Sequence, residues 1–500
     1  NPSVLVSTDE LAIHMGLPRH SVNGLPVTEH TAFAQEVLKR EEEQGRKFNL
    51  GKIYHLGKEA KTKVDLDVES LTKHTFITGA TGSGKSNTVY EIISRLNGIH
   101  MGIHELPKAV PTLIIEPAKG EYKQVFGKDF HVFGTNPYYM ELLRINPFQF
   151  EKGIHILEHI DRLIDIFNVC WPMYAAMPAV LKEAVEQAYC FAGWDLSTSQ
   201  NRYTPAIYPC FADVLAALRK VISSSDYSQE VKDNYTGSLI TRVKSLTNGL
   251  NGQIFTCNEV DQKQLFEESA IVDLSRVASS ETKAMIMGIL IMRLQERRMS
   301  QGGINLPLRH ITILEEAHNL LKRTSMEQSS DSSNLLGKSV EMISNAIAEM
   351  RTYGEGFVIV DQAPGLLDMS VIRNTNTKII MRLPEYSDRE LTGKAAGLTD
   401  KQIDELAKLP SGVAAVYQDK WIEPVLCKVN YYNVLPEEYK RQQEIEKQPT
   451  ENVLRGKILQ YILSDISQEE PKTDVELLKA ELLRSNMPSY LKIGIMKALK

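Results

Sequence analysis

The sequence predicts an α/β fold built on a mostly parallel sheet, with a helical insertion and a C-terminal helical appendage. Three observations predict it. Short apolar runs alternate with helical stretches from residue 74 to about 430, the pattern of strands joined by helical crossovers. Most of these runs are apolar almost throughout, as strands buried on both faces are. One of them, His74–Thr78, leads into Gly79-Ala80-Thr81-Gly82-Ser83-Gly84-Lys85-Ser86 and on into a helix-compatible stretch, Asn87 to Leu96. That octet matches G-x-x-x-x-G-K-[ST] in the strand–loop–helix setting the motif requires.

The chemistry of this loop follows from its residue types. Its glycines let the backbone curl so that N–H groups point inward and cradle anionic oxygens. The helix start behind it adds a positive dipole end. Lys85 can reach the β- and γ-phosphates of a nucleotide, and Ser86 can hold Mg²⁺. The expected nucleotide-binding set is Gly79, Ala80, Thr81, Gly82, Ser83, Gly84, Lys85, Ser86 and Asn87.

The remaining elements follow in order. Ser7-Thr8-Asp9-Glu10 reads as a helix start with a capping acid. Leu17-Pro18 and Gly24-Leu25-Pro26 read as turns, and the charged stretch from Gln35 to Arg46 as a solvated face. Short strands are expected at 53–56 and 64–67. Core strands are expected at 74–78, 112–116, 269–274, 310–315, 356–361 and 377–382. Residues 154–167, 179–191, 211–222 and 231–246 carry helical periodicity and form the insertion. A hairpin is expected over 413–417 and 422–429, and charged helices after Pro436. The resulting division is an N-terminal segment 1–68, a first part of the core 69–150, the insertion 151–262, a second part of the core 263–432, and a C-terminal helical region 433–500.

Composition bounds the function classes. At 42% hydrophobic and 24% charged, the chain has ample material for a core, and its net charge of −6 excludes a uniformly basic nucleic-acid coat. The 5 cysteines are scattered without a C-x-x-C pair, which argues against a zinc site or disulfide framework and for a reducing, cytoplasmic setting. No apolar run reaches the ~20 residues of a membrane span. The chain begins at Asn1 rather than Met, which suggests that N-terminal residues are missing.

A second motif, Ile311-Thr312-Ile313-Leu314-Glu315-Glu316, is an apolar strand ending in two acids. Parallel strands deliver their C-terminal ends to one edge, so both acids should face the phosphate loop. Glu315 would hold the metal ion and Glu316 would polarise the attacking water. Phe357-Val358-Ile359-Val360-Asp361-Gln362 also ends in polar groups, and Gln362 suits a γ-phosphate sensor. A cation is needed where charge spreads over the γ-oxygens. Arg351 is the first choice for this finger or sensor, ahead of Arg373 and Arg382. Ile115-Glu116-Pro117-Ala118-Lys119-Gly120-Glu121 leaves two readings open: acids at the nucleotide edge, or a sheet-terminating turn.

The order of these motifs resembles that of HerA-type ATPases, of the HerA/FtsK group of DNA translocases. The resemblance rests on His74–Ser86, Ile115–Tyr122, Glu315-Glu316-Ala317-His318, Arg351-Thr352-Tyr353-Gly354, Asp361-Gln362-Ala363-Pro364 and Arg373-Asn374-Thr375-Asn376, and covers roughly residues 5 to 430. Glu116 stands where the family has Asp, and Lys73 where it often has a basic residue that reaches a neighbour's nucleotide. The resemblance implies a RecA-like P-loop core and, in residues 1–68, the tail of an N-terminal β-barrel. It further implies a homo-hexamer that uses ATP and Mg²⁺ to translocate or unwind double-stranded DNA. It also implies an effector partner, a NurA-like nuclease or a sirtuin-like protein, in DNA end processing or antiphage defence. The Ser-rich segment Thr324 to Asn334, flanked by Lys322, Arg323 and Lys338, is a candidate DNA-tracking loop. The alternative function is an ATP-dependent scaffold that assembles or gates an effector with little DNA movement.

Overall fold

The computed structural model describes residues 7–16, 22–23, 30–40, 45–98, 108–171, 173–174, 176–323, 335–434, 439–440, 451–467 and 474–499. Twelve strands make one sheet. They are β1 (Lys47–His55), β2 (Lys58–Asp67), β3 (Thr75–Thr78), β4 (Thr112–Glu116), β5 (His131–Gly134), β6 (Glu141–Leu142), β7 (Ala270–Asp273), β8 (His310–Glu315), β9 (Glu355–Asp361), β10 (Thr377–Ile380), β11 (Val413–Tyr417) and β12 (Val425–Val429). Their order across the sheet is β2-β1-β12-β11-β10-β3-β9-β8-β4-β7-β5-β6. From β10 to β6 every neighbouring pair is parallel. From β10 back to β2 every pair is antiparallel.

The expected core strands are all present, and β3, β4, β7, β9 and β10 are buried along their whole length. Alternate side chains feed two cores, as a pleated strand requires. Leu113, Ile115, Phe357 and Ile359 face one layer, and Ile114, Ile313, Val358 and Val360 face the other. Two strands of this sheet were not expected from sequence, β5 and β6. The first is four residues long and the second two, too short for a period-2 pattern to stand out. β1 and β2 form a longer hairpin than the two short strands expected there. It pairs with β12, so residues 47–67 extend the ATPase sheet itself.

The helices that matter for the site are α1 (Thr8–Met15), α2 (Lys85–Asn97), α3 (Ile156–Cys170), α4 (Met177–Phe191), α5 (Phe211–Ser224), α6 (Ser280–Gln301), α7 (Leu335–Glu349), α8 (Glu451–Ser467), α9 (Val475–Arg484) and α10 (Ser489–Ala498). Ser7 and Glu10 close a capping box at the start of α1. α2 packs on one face of the sheet, with the hairpin residues Phe48 and Leu66. α3, α4 and α5, which follow β6, pack with α6 on the other face. The helix expected over 231–246 is helical but uneven. Its centre, Thr236–Ile240, is a π turn, at Gly237, the residue least committed to α-helical backbone after proline.

α8, α9 and α10 bury Leu454, Ile458, Leu478, Leu482, Met487 and Leu499 among themselves. They are tied to the insertion where Asp213 accepts the Ser489 N–H at 2.7 Å and the Ser489 hydroxyl at 2.9 Å. Among the described residues no helix is long and apolar enough to cross a membrane. The cysteines Cys170, Cys190, Cys210, Cys257 and Cys427 are all free thiols. The turns expected at Leu17-Pro18 and Gly24-Leu25-Pro26 and the Ser-rich segment Thr324–Asn334 lie outside the described residues.

Candidate nucleotide-binding and hydrolysis site

Strand register sets the site. Asp361 pairs with Thr78, Glu315 with Val360, Leu314 with Ile115, and Glu116 with Asp273. The phosphate loop that follows Thr78 therefore shares one sheet edge with Glu315, Glu316, Asp361 and Gln362, as expected of parallel strands.

The loop is tightly braced. The Ala80 N–H donates to the Arg382 carbonyl at 2.8 Å, and the Ser83 N–H to the Ala80 carbonyl at 3.1 Å. A Cβ on Gly79 would meet Ser83 Oγ at 2.6 Å, and one on Gly84 would meet the Gly412 nitrogen at 3.1 Å. Both glycines also have positive φ, 159° and 107°, so only glycine fits. The turn before β11 holds the loop from outside: Ser411 Oγ donates to the Gly82 carbonyl at 3.0 Å, and the Gly412 N–H to the Ser83 carbonyl at 2.8 Å.

Among the described residues, the amides of Thr81, Gly82, Gly84, Lys85, Ser86 and Asn87 donate to no protein oxygen. They are the donors a bound phosphate would use. Lys85 folds back on its own loop, donating to the Gly79 carbonyl and, at 3.2 Å, to the Ala80 carbonyl. Burial lowers its pKa, against the pull of Glu315, Glu316 and Asp361.

The two acids differ. Glu315 accepts a hydrogen bond from the Tyr122 hydroxyl. Burial pushes its pKa up to about 7, with Glu316 adding to the rise. A buried carboxylate short of positive charge is what a divalent cation offsets, so Glu315 and Ser86 fit a magnesium-bound nucleotide. Glu316 follows the strand in left-handed backbone, φ 46°, which costs of order 1 kcal/mol or more and is concentrated at functional sites. Its Oε1 accepts from Gln362 Nε2 at 2.6 Å, and Gln362 Oε1 accepts from the Thr81 hydroxyl at 2.8 Å. Gln362 thus links the phosphate loop to Glu316.

Three neighbours of these acids lie in the motifs quoted above but receive no role of their own from the sequence. Tyr122 orients Glu315 across a separation of 193 residues, and no local signal predicts that. His318 Nδ1 lies 2.9 Å from Asp361 Oδ2 and 3.5 Å from Glu316 Oε2. The bond to Asp361 raises the His318 pKa. Asp361 ended an expected strand beside Gln362 and could have been found by the same reasoning as Glu315.

Other candidates fall elsewhere. Glu116 takes the N–H groups of Glu121, at 2.7 Å, and Tyr122, at 3.3 Å. It closes a turn while standing at the C-terminal end of β4, on the edge that carries the phosphate loop, so both readings of that segment stay open. Glu121 accepts from the Tyr90 hydroxyl at 3.3 Å. The Asn87 side chain is committed to Asn430 and Tyr432, leaving only its amide for a ligand.

Arg351 is not beside its own phosphate loop. It lies in the Met350–Tyr353 turn that precedes β9, at the opposite edge of the sheet, roughly 20 Å away at ~3.3 Å per strand residue. A sensor role beside its own subunit's phosphate loop does not fit that position. Arg373 precedes β10 at that same far edge, and Lys73, before β3, pairs there with Asp419. Arg382 is the reverse case: its carbonyl binds Ala80, so it stands at the nucleotide edge of its own subunit.

Residues 48–294 match the family model described as Helicase HerA, central domain. Two curated relatives align over most of the chain. One is the DNA double-strand break repair helicase HerA of Sulfurisphaera tokodaii, 24% identical over 402 residues, 77% of this chain and 72% of the relative. The other is its counterpart in Sulfolobus acidocaldarius, 24% identical over 427 residues, 82% of this chain and 77% of the relative. The chain is a HerA-type ATPase. Solved structures agree on the fold of this HerA-type enzyme. Plasmid coupling protein TrwB in complex with ADP and Mg²⁺ superposes with a TM-score of 0.54 at 12% identity, over 82% of this chain and 98% of that one. VirB4 of Thermoanaerobacter pseudethanolicus gives 0.53 at 16% identity, over 78% and 98%. The HerA-type core is thus a RecA-like α/β ATPase fold, in accord with the fold expected from sequence.

Proposed function

We propose that this HerA-type ATPase is a hexameric ring motor that hydrolyses ATP between subunits to translocate or unwind double-stranded DNA. We further propose that it serves a nuclease or another effector, such as a sirtuin-like protein, in DNA end processing or antiphage defence. The observation that carries the ring reading is the division of charge between the sheet edges. The hydrolytic acids lie at one edge, while Arg351 and Arg373, which have no ion-pair partner among the described residues, lie at the other. One subunit's far edge can supply the cation that another subunit's nucleotide edge needs. The curated relatives' name as DNA double-strand break repair helicases supports DNA as the substrate.

In this mechanism the amides of Thr81, Gly82, Gly84, Lys85, Ser86 and Asn87 and the Lys85 ammonium bind the β- and γ-phosphates and hold them in line. Ser86 and Glu315 would hold magnesium, which when bound would supply charge neutralisation. Glu316 takes the proton of the attacking water. Gln362 fixes the Glu316 carboxylate through its amide and so sets where that water is polarised. Arg351 of a neighbour stabilises charge developing on the γ-oxygens, a contribution of about 10³–10⁵ in turnover in other nucleotide hydrolases.

The test is ATP turnover with and without linear duplex DNA, together with the particle mass. Duplex DNA should raise turnover and the mass should be that of six chains. Turnover indifferent to DNA in the absence of any partner would turn the reading toward an ATP-gated scaffold.

A further inference from the structure

We propose that Tyr431 is the stacking platform for the nucleobase, which makes the segment after β12 the base subsite of the nucleotide site. The proposal rests on the reading of residues 79–86 as the phosphate loop.

Two separate ties hold this segment alongside that loop. The first is at the loop's end. Asn87 is the residue after Ser86, and both ends of its side-chain amide are engaged: Nδ2 donates to the Asn430 carbonyl at 2.8 Å, and Oδ1 accepts the Tyr432 N–H at 2.9 Å. The second is at the loop's middle. Ser411 Oγ donates to the Gly82 carbonyl at 3.0 Å, and the Ser411 carbonyl in turn accepts from Lys428 Nζ at 2.8 Å. β11 and β12 pair at Val413 and Lys428, so both ties belong to one rigid hairpin.

The side chains on either side of Tyr431 are engaged with the protein. Asn430 Nδ2 donates to Glu91 Oε1 at 3.0 Å and to Asn49 Oδ1 at 3.1 Å. The Tyr432 ring packs against Phe126 and Tyr90, with centroids 5.8 and 6.2 Å apart. Tyr431, between them, is 79% exposed. Its ring makes no hydrogen bond or ring contact among the described residues. An aromatic ring is thus held out in water by a backbone clamped on both sides. That arrangement gives the chain no core packing, yet it fixes an apolar face beside the first turn of α2.

That first turn is where the amides of Ser86 and Asn87 are free to meet a nucleotide's innermost phosphate. The sugar and base must continue outward from there, past the Asn87 side chain to which residues 430–432 are bound. A base lying on the Tyr431 face would gain stacking, which is tolerant of base identity because every base has a π face. The subsite therefore favours nucleotides over bare polyphosphate without strongly separating ATP from GTP.

The test is equilibrium binding of ATP and of inorganic tripolyphosphate to the full chain and its Tyr431→Ala, Tyr431→Phe and Lys85→Ala variants. Tyr431→Ala should weaken ATP binding by roughly 5- to 100-fold, leave tripolyphosphate unchanged, and be rescued by Tyr431→Phe. A second readout is Tyr431→Trp, whose fluorescence ATP should quench and tripolyphosphate should not; Trp171, Trp194 and Trp421 are buried. Lys85→Ala should weaken both ligands. Unchanged ATP binding by Tyr431→Ala, or equal loss of both ligands, overturns the stacking proposal. Unchanged tripolyphosphate binding by Lys85→Ala overturns instead the phosphate-loop reading beneath it.

Discussion

At the C-terminal ends of the parallel strands stand Glu116, Asp273, Glu315, Glu316 and Asp361, around a loop whose own cation is Lys85. At the N-terminal ends stand Arg351 and Arg373, while Lys73 is paired with Asp419, and Glu355 with Arg298 at 2.8 Å and His310 at 2.8 Å. The two edges are built from the same strands, so the strand direction alone sorts their chemistry. On the proposed reading, one subunit binds the nucleotide and polarises water at the acidic edge, where Arg382 also stands, and carries Arg351 and Arg373 at the far edge for another molecule.

The sharpest way to break this comparison at the acidic edge is Glu316→Gln. Removing a positioned general base should lower turnover about 10²- to 10⁴-fold while leaving nucleotide binding intact, measured by steady-state hydrolysis beside equilibrium binding. Normal hydrolysis would remove Glu316 from the role of base. Gln362→Ala should cost less, because it removes one hydrogen bond to a charged group. At ~1.5–3 kcal/mol for such a bond and ~1.4 kcal/mol per tenfold, turnover should fall roughly 10- to 100-fold with little change in KM. A change confined to KM would mean that Gln362 only binds.

The gentlest test concerns stability. Burial raises the Glu116 pKa to about 8 from an ordinary 4.5, with Asp273 and Glu315 adding to the rise and the N–H bonds of Glu121 and Tyr122 opposing it. Between those values the folded chain keeps a proton the unfolded chain has lost, so stability falls as pH rises through that window. Thermal unfolding in chelator should show a Tm that declines from pH 5 to 8, with a shallower decline in Glu116→Gln. An equal slope in the variant would mean that Glu116 is ionised throughout.

Much of this was legible in the sequence. The buried strands announced themselves because both faces are apolar, and the loop and the acid pair because their chemistry permits few residue types. β5 and β6 did not, being too short to carry a pattern. Tyr122 on Glu315 was invisible because tertiary packing, not spacing, brings them together. Arg351 was chosen for its residue type. That it precedes β9 already implied the far edge once β9 was parallel to β3, so its distance from its own loop is a consequence of topology rather than a surprise of packing.

If catalysis is shared between subunits, as proposed, mixing two inactive variants should reveal it. Lys85→Ala and Arg351→Ala should each be nearly inactive alone. When the two are mixed and allowed to assemble, interfaces that pair an intact Lys85 with a neighbour's intact Arg351 should form, and ATP hydrolysis should return. If the mixture stays as inactive as its components, although it assembles, Arg351 does not act across the interface and the division of labour between the two edges is wrong.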